Sequence, residues 1–530
     1  MKIKKDFNPK KLFELLTPVE INPDISYLTD NQKIIIDYLI EVADIIDEIY
    51  LLQKNRDNLV IKEKIRALND PDISLYFKVM SGPFDGFNDN IPFIEGVEYN
   101  DKAGFYPEDL TVKEFEDFLL KRPELKDDLI SPYTVIVREP DGSLKAVKYC
   151  DVYKNYLQKA GDALMKASEI SENPSVKSYL QALFAAFQNN DFYNADIRWL
   201  QLVDNDIESI IGPHEFYDDK FMGYKTSFTA FVAIKNRTEF KKLRAILKLL
   251  DTLQQSLPIP EHYKKNIKSS NSQIQVINLI YAGGDARGPI QTAAFNLPNS
   301  HKVKSEFGSK KALIYNVIEA KFNTILKPIA NKFLDEKDAE KVTFSAYFNF
   351  ILMHEVSHEL GIGVIKDEEG NPKDISYFLK DLYSTIEETK ADVMGMYLTF
   401  YLLKNCFITD CSFIETVVTY MMSLFRSMRF GKENVHCISN IIQWNFLRKE
   451  EVFIPKNDNK FSIDLHKFEK VVEKLLTIIL TLQAEGSYKK SKDFIEEYSY
   501  IDDELKSSLE LLVSLPIDIL PIYPKTDENP

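Results

Sequence analysis

Two histidines four residues apart, His354 and His358, with a glutamate directly after the first, lie inside the apolar run TFSAYFNFILMHEVSHELGIG. So long an apolar run implies a buried helix, and on a helix residues i and i+4 share a face. Both imidazoles can then offer a nitrogen to one Zn2+, while Glu355 projects beside the metal, where it can take a proton from bound water. Two ligands do not complete a site. A second helical segment downstream, LKDLYSTIEETKADVMGMYLTFYLL, carries Glu387, Glu388 and Asp392. Glu388 and Asp392 are again four apart, so a helix packed on the first can give the Glu388 carboxylate to zinc and aim Asp392 at the outer nitrogen of a ligating histidine, fixing its tautomer. Glu387 is a further candidate for such outer support. Three protein ligands leave a fourth position for water, the pattern of a catalytic rather than a structural zinc. An HExxH arises by chance on the order of once in a hundred chains with this few histidines, so the helical context and the acidic second helix carry the reading.

The elements that must position these residues follow from periodicity. Helical spacing runs from Asn31 to about Leu68, and YTVIVREPDGSLKAVKY, from Tyr133 to Tyr149, reads as a hairpin around a Pro-Asp-Gly turn. Residues 151–200 are helical with a break at Asn173-Pro174, strands are expected at 224–234 and 273–284, and a helix near 238–255 precedes a Lys- and Ser-rich loop. Beyond Lys310 helices are expected at about 310–335, 343–361, 377–404, 412–427, 433–449, 466–484 and 495–514, with one strand pair near VFIP and KFSIDL. A mixed first half joined to a helical second half fits a two-lobed, predominantly helical α+β protein.

Composition bounds the partners. The 530 residues suffice for two to three domains, and 45% hydrophobic with 28% charged residues is the balance of a folded soluble protein. A formal charge of −15 repels nucleic acid and anionic lipid. Cys150, Cys406, Cys411 and Cys437 form no CxxC pair and read as reduced thiols. The N-terminal MKIKKDFNPKKLFELLTP lacks a secretory apolar core, and no stretch is long and apolar enough to span a bilayer, so a cytoplasmic protein is expected.

The HExxH helix followed by EETKAD resembles the dipeptidyl-peptidase III family of zinc peptidases, in the bacterial and plant branch with HExxH rather than HExxxH. The resemblance extends through SPYTVIVREPDGSL, IGPHEFYDDKFMGYK, GDARGPIQTAAFNLPN and the ENVH segment, covering roughly residues 130–515. It implies a β-barrel-containing lobe and a helical zinc lobe around a wide cleft. It also implies zinc on His354, His358 and Glu388, with Glu355 as the catalytic glutamate. Tyr217, in HEFYDD, and His436, in ENVH, match residues that stabilise the transition state. Glu215 matches an acid that binds the peptide amine, and Asn296 and Asn299 match asparagines that hold the peptide backbone. The family's second amine-binding acid falls at Thr229, which leaves one carboxylate fewer and a looser cleavage register.

The expectation is a zinc-dependent peptidase that cuts near the N-terminus of peptides and releases dipeptides. Its mixed α/β lobe, with the substrate-anchoring segments, would take 1–235 with 275–305, and its helical zinc lobe 236–274 with 306–530. A zinc hydrolase of another amide or ester and a non-catalytic peptide-binding scaffold are the alternatives. Oligomeric state leaves no mark on the sequence.

Overall fold

The computed structural model describes residues 1–264, 273–429, 431, 434–456 and 459–524. The fold is α+β and predominantly helical, and it divides into two compact units: Met1–Asn236 with Gln275–Val317 and Asp518–Pro530, and Arg237–Ile274 with Ile318–Ile517. Most of the Lys- and Ser-rich loop, 265–272, lies outside the described residues, as does Glu433 of the ENVH segment.

The first unit is built on a five-stranded sheet and long helices. Besides two hairpins, Phe84–Asp85 with Ile91–Pro92 and Thr134–Arg138 with Leu144–Lys148, its strands are β1 (Leu16–Glu20), β2 (Ile210–Glu215), β3 (Ser227–Lys235), β4 (Gln273–Gly284), β5 (Ala294–Leu297), β6 (Lys310–Ile314) and β7 (Asp518–Ile522). The sheet runs β2-β3-β4-β6-β5. Strand β3 is buried at every position, which is why its centre, AFVAI, reads as a continuous apolar run and not as an alternation. Helix α1 (Asp30–Lys54) starts at a capping box made by Thr29 and Gln32, and its apolar stripe includes Leu39, Ala43, Ile46 and Ile49. It lies directly on β4: a Cβ at Gly283 would come within 2.6 Å of the Ala43 carbonyl oxygen, so only glycine permits the approach.

Two segments depart from the expected layout. Residues 306–317 and those from 518 onward belong to the first unit, not to the helical one. The helix expected from 310 begins instead with strand β6, because a short apolar run such as KKALI suits helix and strand equally until its neighbours are known. Here the neighbours decide: Lys310 is fully buried, its Nζ donating to Glu208 Oε1 and the Trp199 carbonyl, both at 2.7 Å. Strand β7 pairs parallel with β1, Leu16 opposite Asp518.

The second unit is helical: α2 (Phe344–Ser357), α3 (Tyr383–Lys404), α4 (Phe413–Met428), α5 (Val435–Lys449) and α6 (Leu465–Glu485). Ser412, Asn434 and Asp464 cap the last three with their side-chain oxygens. Helix α3 packs against α2, α5 and α6 and is apolar almost all round, with Thr389, Lys390 and Asp392 buried among its apolar residues. The expected strand pair is present as Phe453–Pro455 with Phe461–Ile463. Among the described residues no helix is long and apolar enough to cross a membrane.

Candidate active site

Helix α2 ends at Ser357, and His358 keeps helical dihedrals as its cap, so the two histidines occupy the last turn on one face. Their Nε2 atoms face each other at 3.2 Å. Helix α3 brings Glu388 Oε2 to 3.4 Å from His354 Nε2 and 3.8 Å from His358 Nε2. These three ligand atoms lie within 4.8 Å of one another. The outer nitrogens are occupied, His354 Nδ1 by Asp392 Oδ1 at 2.7 Å and His358 Nδ1 by Glu387 Oε1 at 2.9 Å. A carboxylate on each Nδ1 favours the tautomer that leaves the Nε2 lone pair facing inward. Glu388 Oε2 is buried and, among the described residues, has no hydrogen-bond partner. Two inward lone pairs and an unsatisfied carboxylate oxygen repel one another unless a cation sits between them, so this donor set fits a metal ion.

Without a metal, protonation of His354 relieves the same repulsion. Burial works against charge on His354, yet Asp392 and Glu388, with the charge of Glu355, lift its pKa well above the usual imidazole range. Burial alone would raise Glu387; Lys390 and His358 outweigh it and hold the carboxyl at about 2. For Glu388 burial is outweighed by His354, then His358 and His436, again leaving the carboxyl at about 2. Glu355, next to His354, is partly exposed. His436, in the first turn of α5, is half-exposed with Nδ1 3.3 Å from Glu388 Oε2.

A further tier of side chains fixes these carboxylates. Lys390 Nζ bonds the Ser357 and Leu360 carbonyls at 2.8 and 3.1 Å and Glu387 Oε1 at 2.8 Å, tying the end of α2 to α3. Gln443 donates to Asp392 Oδ2 at 2.8 Å and accepts from the Tyr420 hydroxyl. Gln483 donates to Glu387 Oε2 at 2.9 Å. Sequence reasoning missed all three. Lys390 stands inside EETKAD and could have been suspected, whereas a glutamine on an ordinary helix carries no local signal.

The anchoring candidates belong to the first unit. Glu215 ends β2, just after a register shift between Pro213 and Glu215 that re-aims the strand. Asn299 Nδ2 donates to the His214 carbonyl at 2.9 Å and approaches Glu215 Oε2 at 3.5 Å, while Asn296 is exposed on β5 opposite Lys311. Burial raises the Glu215 pKa, opposed by Lys304 and Asn299. Tyr217 is 77% exposed. Its phenol is raised by desolvation and by Glu215 and Asp285, which keeps its proton in place as a donor. Thr229 is fully buried, so it is not an open position to which an acid could simply be restored. Its cross-strand partner is Gly284, and the next residue, Asp285, is a carboxylate that sequence reasoning missed although it stands in GDARG. Burial, then the charges of Asp218 and Glu215, push Asp285 up to about 7, and Tyr50 donates to it at 3.1 Å.

Comparison with known proteins bears on the family of the whole chain. Residues 138–371 match the family described as Peptidase family M49, a span that includes the HEVSH helix and stops short of Glu388. The chain is 38% identical to the dipeptidyl-peptidase III of Caldithrix abyssi, whose structure superposes with a TM-score of 0.93 over 98% of this chain and 99% of that one. The dipeptidyl-peptidase III of a Corallococcus strain superposes with a TM-score of 0.78 at 29% identity, over 98% of this chain and 97% of that one. Nudix hydrolase 3 of Arabidopsis thaliana is 28% identical over 97% of this chain and 74% of its own length. With the HEVSH and EETKAD helices joined in one donor cluster, and with similarity to a solved dipeptidyl-peptidase III running through essentially the whole of both chains, this chain belongs to the dipeptidyl-peptidase III family of metallopeptidases.

Proposed function

We propose that this chain is a zinc-dependent dipeptidyl peptidase in which His354, His358 and Glu388 hold the metal and Glu355 is the general base. The observation that carries the reading is the convergence of two Nε2 atoms and one buried carboxylate oxygen, each imidazole backed by its own carboxylate. Two imidazoles and one carboxylate with an open fourth position are a donor set of catalytic zinc. When bound, zinc supplies a Lewis acid that polarises a carbonyl and acidifies water. Glu355 takes the proton of the attacking water and returns one to the departing amine. Tyr217 and His436 donate to the oxygen on which charge develops. Asp392 and Glu387 keep the imidazoles in the ligating tautomer. Glu215 receives the peptide's ammonium group, and Asn296 and Asn299 hold its backbone. A cytoplasmic location belongs to the same reading and is supported by the free thiols of all four cysteines.

Ligation needs His354 to give up the proton that its carboxylate neighbours favour, so zinc affinity should rise with pH. The expected slope is about tenfold per pH unit for each proton released, read by chelator competition between about pH 6 and 8. A flat profile would contradict ligation through His354.

Products test the peptidase reading. Mass spectrometry of a mixed peptide pool should reveal N-terminal dipeptides as the main release, with N-acetylated peptides poor substrates. Glu215→Ala should cost free-amine peptides about tenfold or more in kcat/KM, the worth of a charge-assisted hydrogen bond, so that free and acetylated peptides converge. Equal rates on both, with cuts spread along the chain, would indicate an endopeptidase.

A further inference from the structure

Helices α2 and α3 meet closely at a residue that neither ligates nor titrates. Gly395 is buried in the interior of α3, and a Cβ built on it would lie 3.0 Å from the His354 amide nitrogen, 3.1 Å from the Met353 carbonyl carbon and 3.3 Å from His354 Cα. These are backbone atoms inside a helix, so they cannot swing aside as the tip of a side chain would. Such distances are tighter than ordinary van der Waals contact, and a methyl group at 395 would force the two helices apart by a few tenths of an ångström.

The contact falls on the residue that carries the first imidazole. Glu388, Asp392 and Gly395 lie at steps of four and three and so share one face of α3. All three address His354: Gly395 its backbone, Asp392 its Nδ1 at 2.7 Å and Glu388 its Nε2 at 3.4 Å. In an uncrowded helix interior glycine is a poor choice and alanine a better one. Its presence here therefore has to be explained by the approach it allows.

We propose that Gly395 is a positioning residue of the metal site: the missing Cβ sets the α2–α3 spacing that brings Glu388 within reach of the ion shared with His354 and His358. The inference rests on the zinc reading above. Its test uses metal-stripped full-length protein titrated with Zn2+ against a chelator and with Co2+ followed by visible absorption, together with circular dichroism and thermal melting. Gly395→Ala is expected to keep the wild-type fold, to bind Zn2+ about 10 to 100-fold more weakly, as when a group that orients a ligand is disturbed, and to alter the Co2+ bands. Gly283→Ala serves as control, because its Cβ would strike Ala43 in the first unit. It should lower the melting temperature and leave zinc affinity unchanged. Wild-type zinc affinity in Gly395→Ala overturns the proposal. So does weakening in both variants in proportion to lost stability, and so does a metal-free Gly395→Ala protein that fails to fold, since the contact would then support the fold in general. A wild-type protein that binds no zinc would instead overturn the zinc reading itself.

Discussion

Glu355→Gln should retain one zinc per chain and lose about 10²–10⁴-fold in kcat, whereas Glu388→Ala should lose the metal. The two carboxylates are predicted to separate because they meet different groups. Glu355 lies outside the cluster of converging ligand atoms, partly exposed beside His354. Glutamine keeps its shape but cannot take a proton at neutral pH, and a general base is worth about 10²–10⁴-fold. Glu388 is different: its Oε2 is buried, has no hydrogen-bond partner among the described residues and faces both Nε2 atoms. Removing it leaves two imidazoles, which do not complete a catalytic zinc site. The check is metal content after dialysis together with turnover on a dipeptidyl substrate. Unchanged zinc affinity in Glu388→Ala would sink the ligand assignment, and substantial activity in Glu355→Gln would sink the base.

Tyr217→Phe and His436→Ala should each lower kcat by about 10²-fold with little change in KM, as expected for donors engaged only in the transition state. Tyr217 is 77% exposed, so removing its hydroxyl disturbs no core packing, and a phenol is protonated through neutral pH. His436 stands in the first turn of α5, where Asn434 accepts hydrogen bonds from the His436 and Cys437 amides and caps the helix, so the imidazole is presented from a fixed turn. Its Nδ1 lies 3.3 Å from Glu388 Oε2, inside the neighbourhood of the metal cluster. Steady-state kinetics on one free-amine peptide separates the outcomes. An effect confined to KM would assign either residue to substrate binding, and lost zinc in His436→Ala would make it a support of Glu388.

What the sequence determined by itself is local. The four-residue spacing of His354 and His358 places both imidazoles on one face because an α-helix repeats every 3.6 residues, and the same rule pairs Glu388 with Asp392. Apolar periodicity likewise marked α2 to α6, and the Pro-Asp-Gly turn marked the hairpin, since their hydrogen bonds close within one segment or across one turn; the single helix expected at 495–514 is instead two, Tyr488–Tyr498 and Asp503–Glu510. Tertiary structure decided whatever depends on which remote surfaces meet. KKALI became a strand because β4 and β5 flank it, and Asp518–Ile522 left the helical unit because Leu16–Glu20 offered it an edge. Gln443 and Gln483 became supports of Asp392 and Glu387 only through the packing of α5 and α6 on α3. The burial of Thr229 and the raised pKa of Asp285 follow from the same cause: a side chain's environment is made by neighbours distant in sequence, and no spacing rule encodes them.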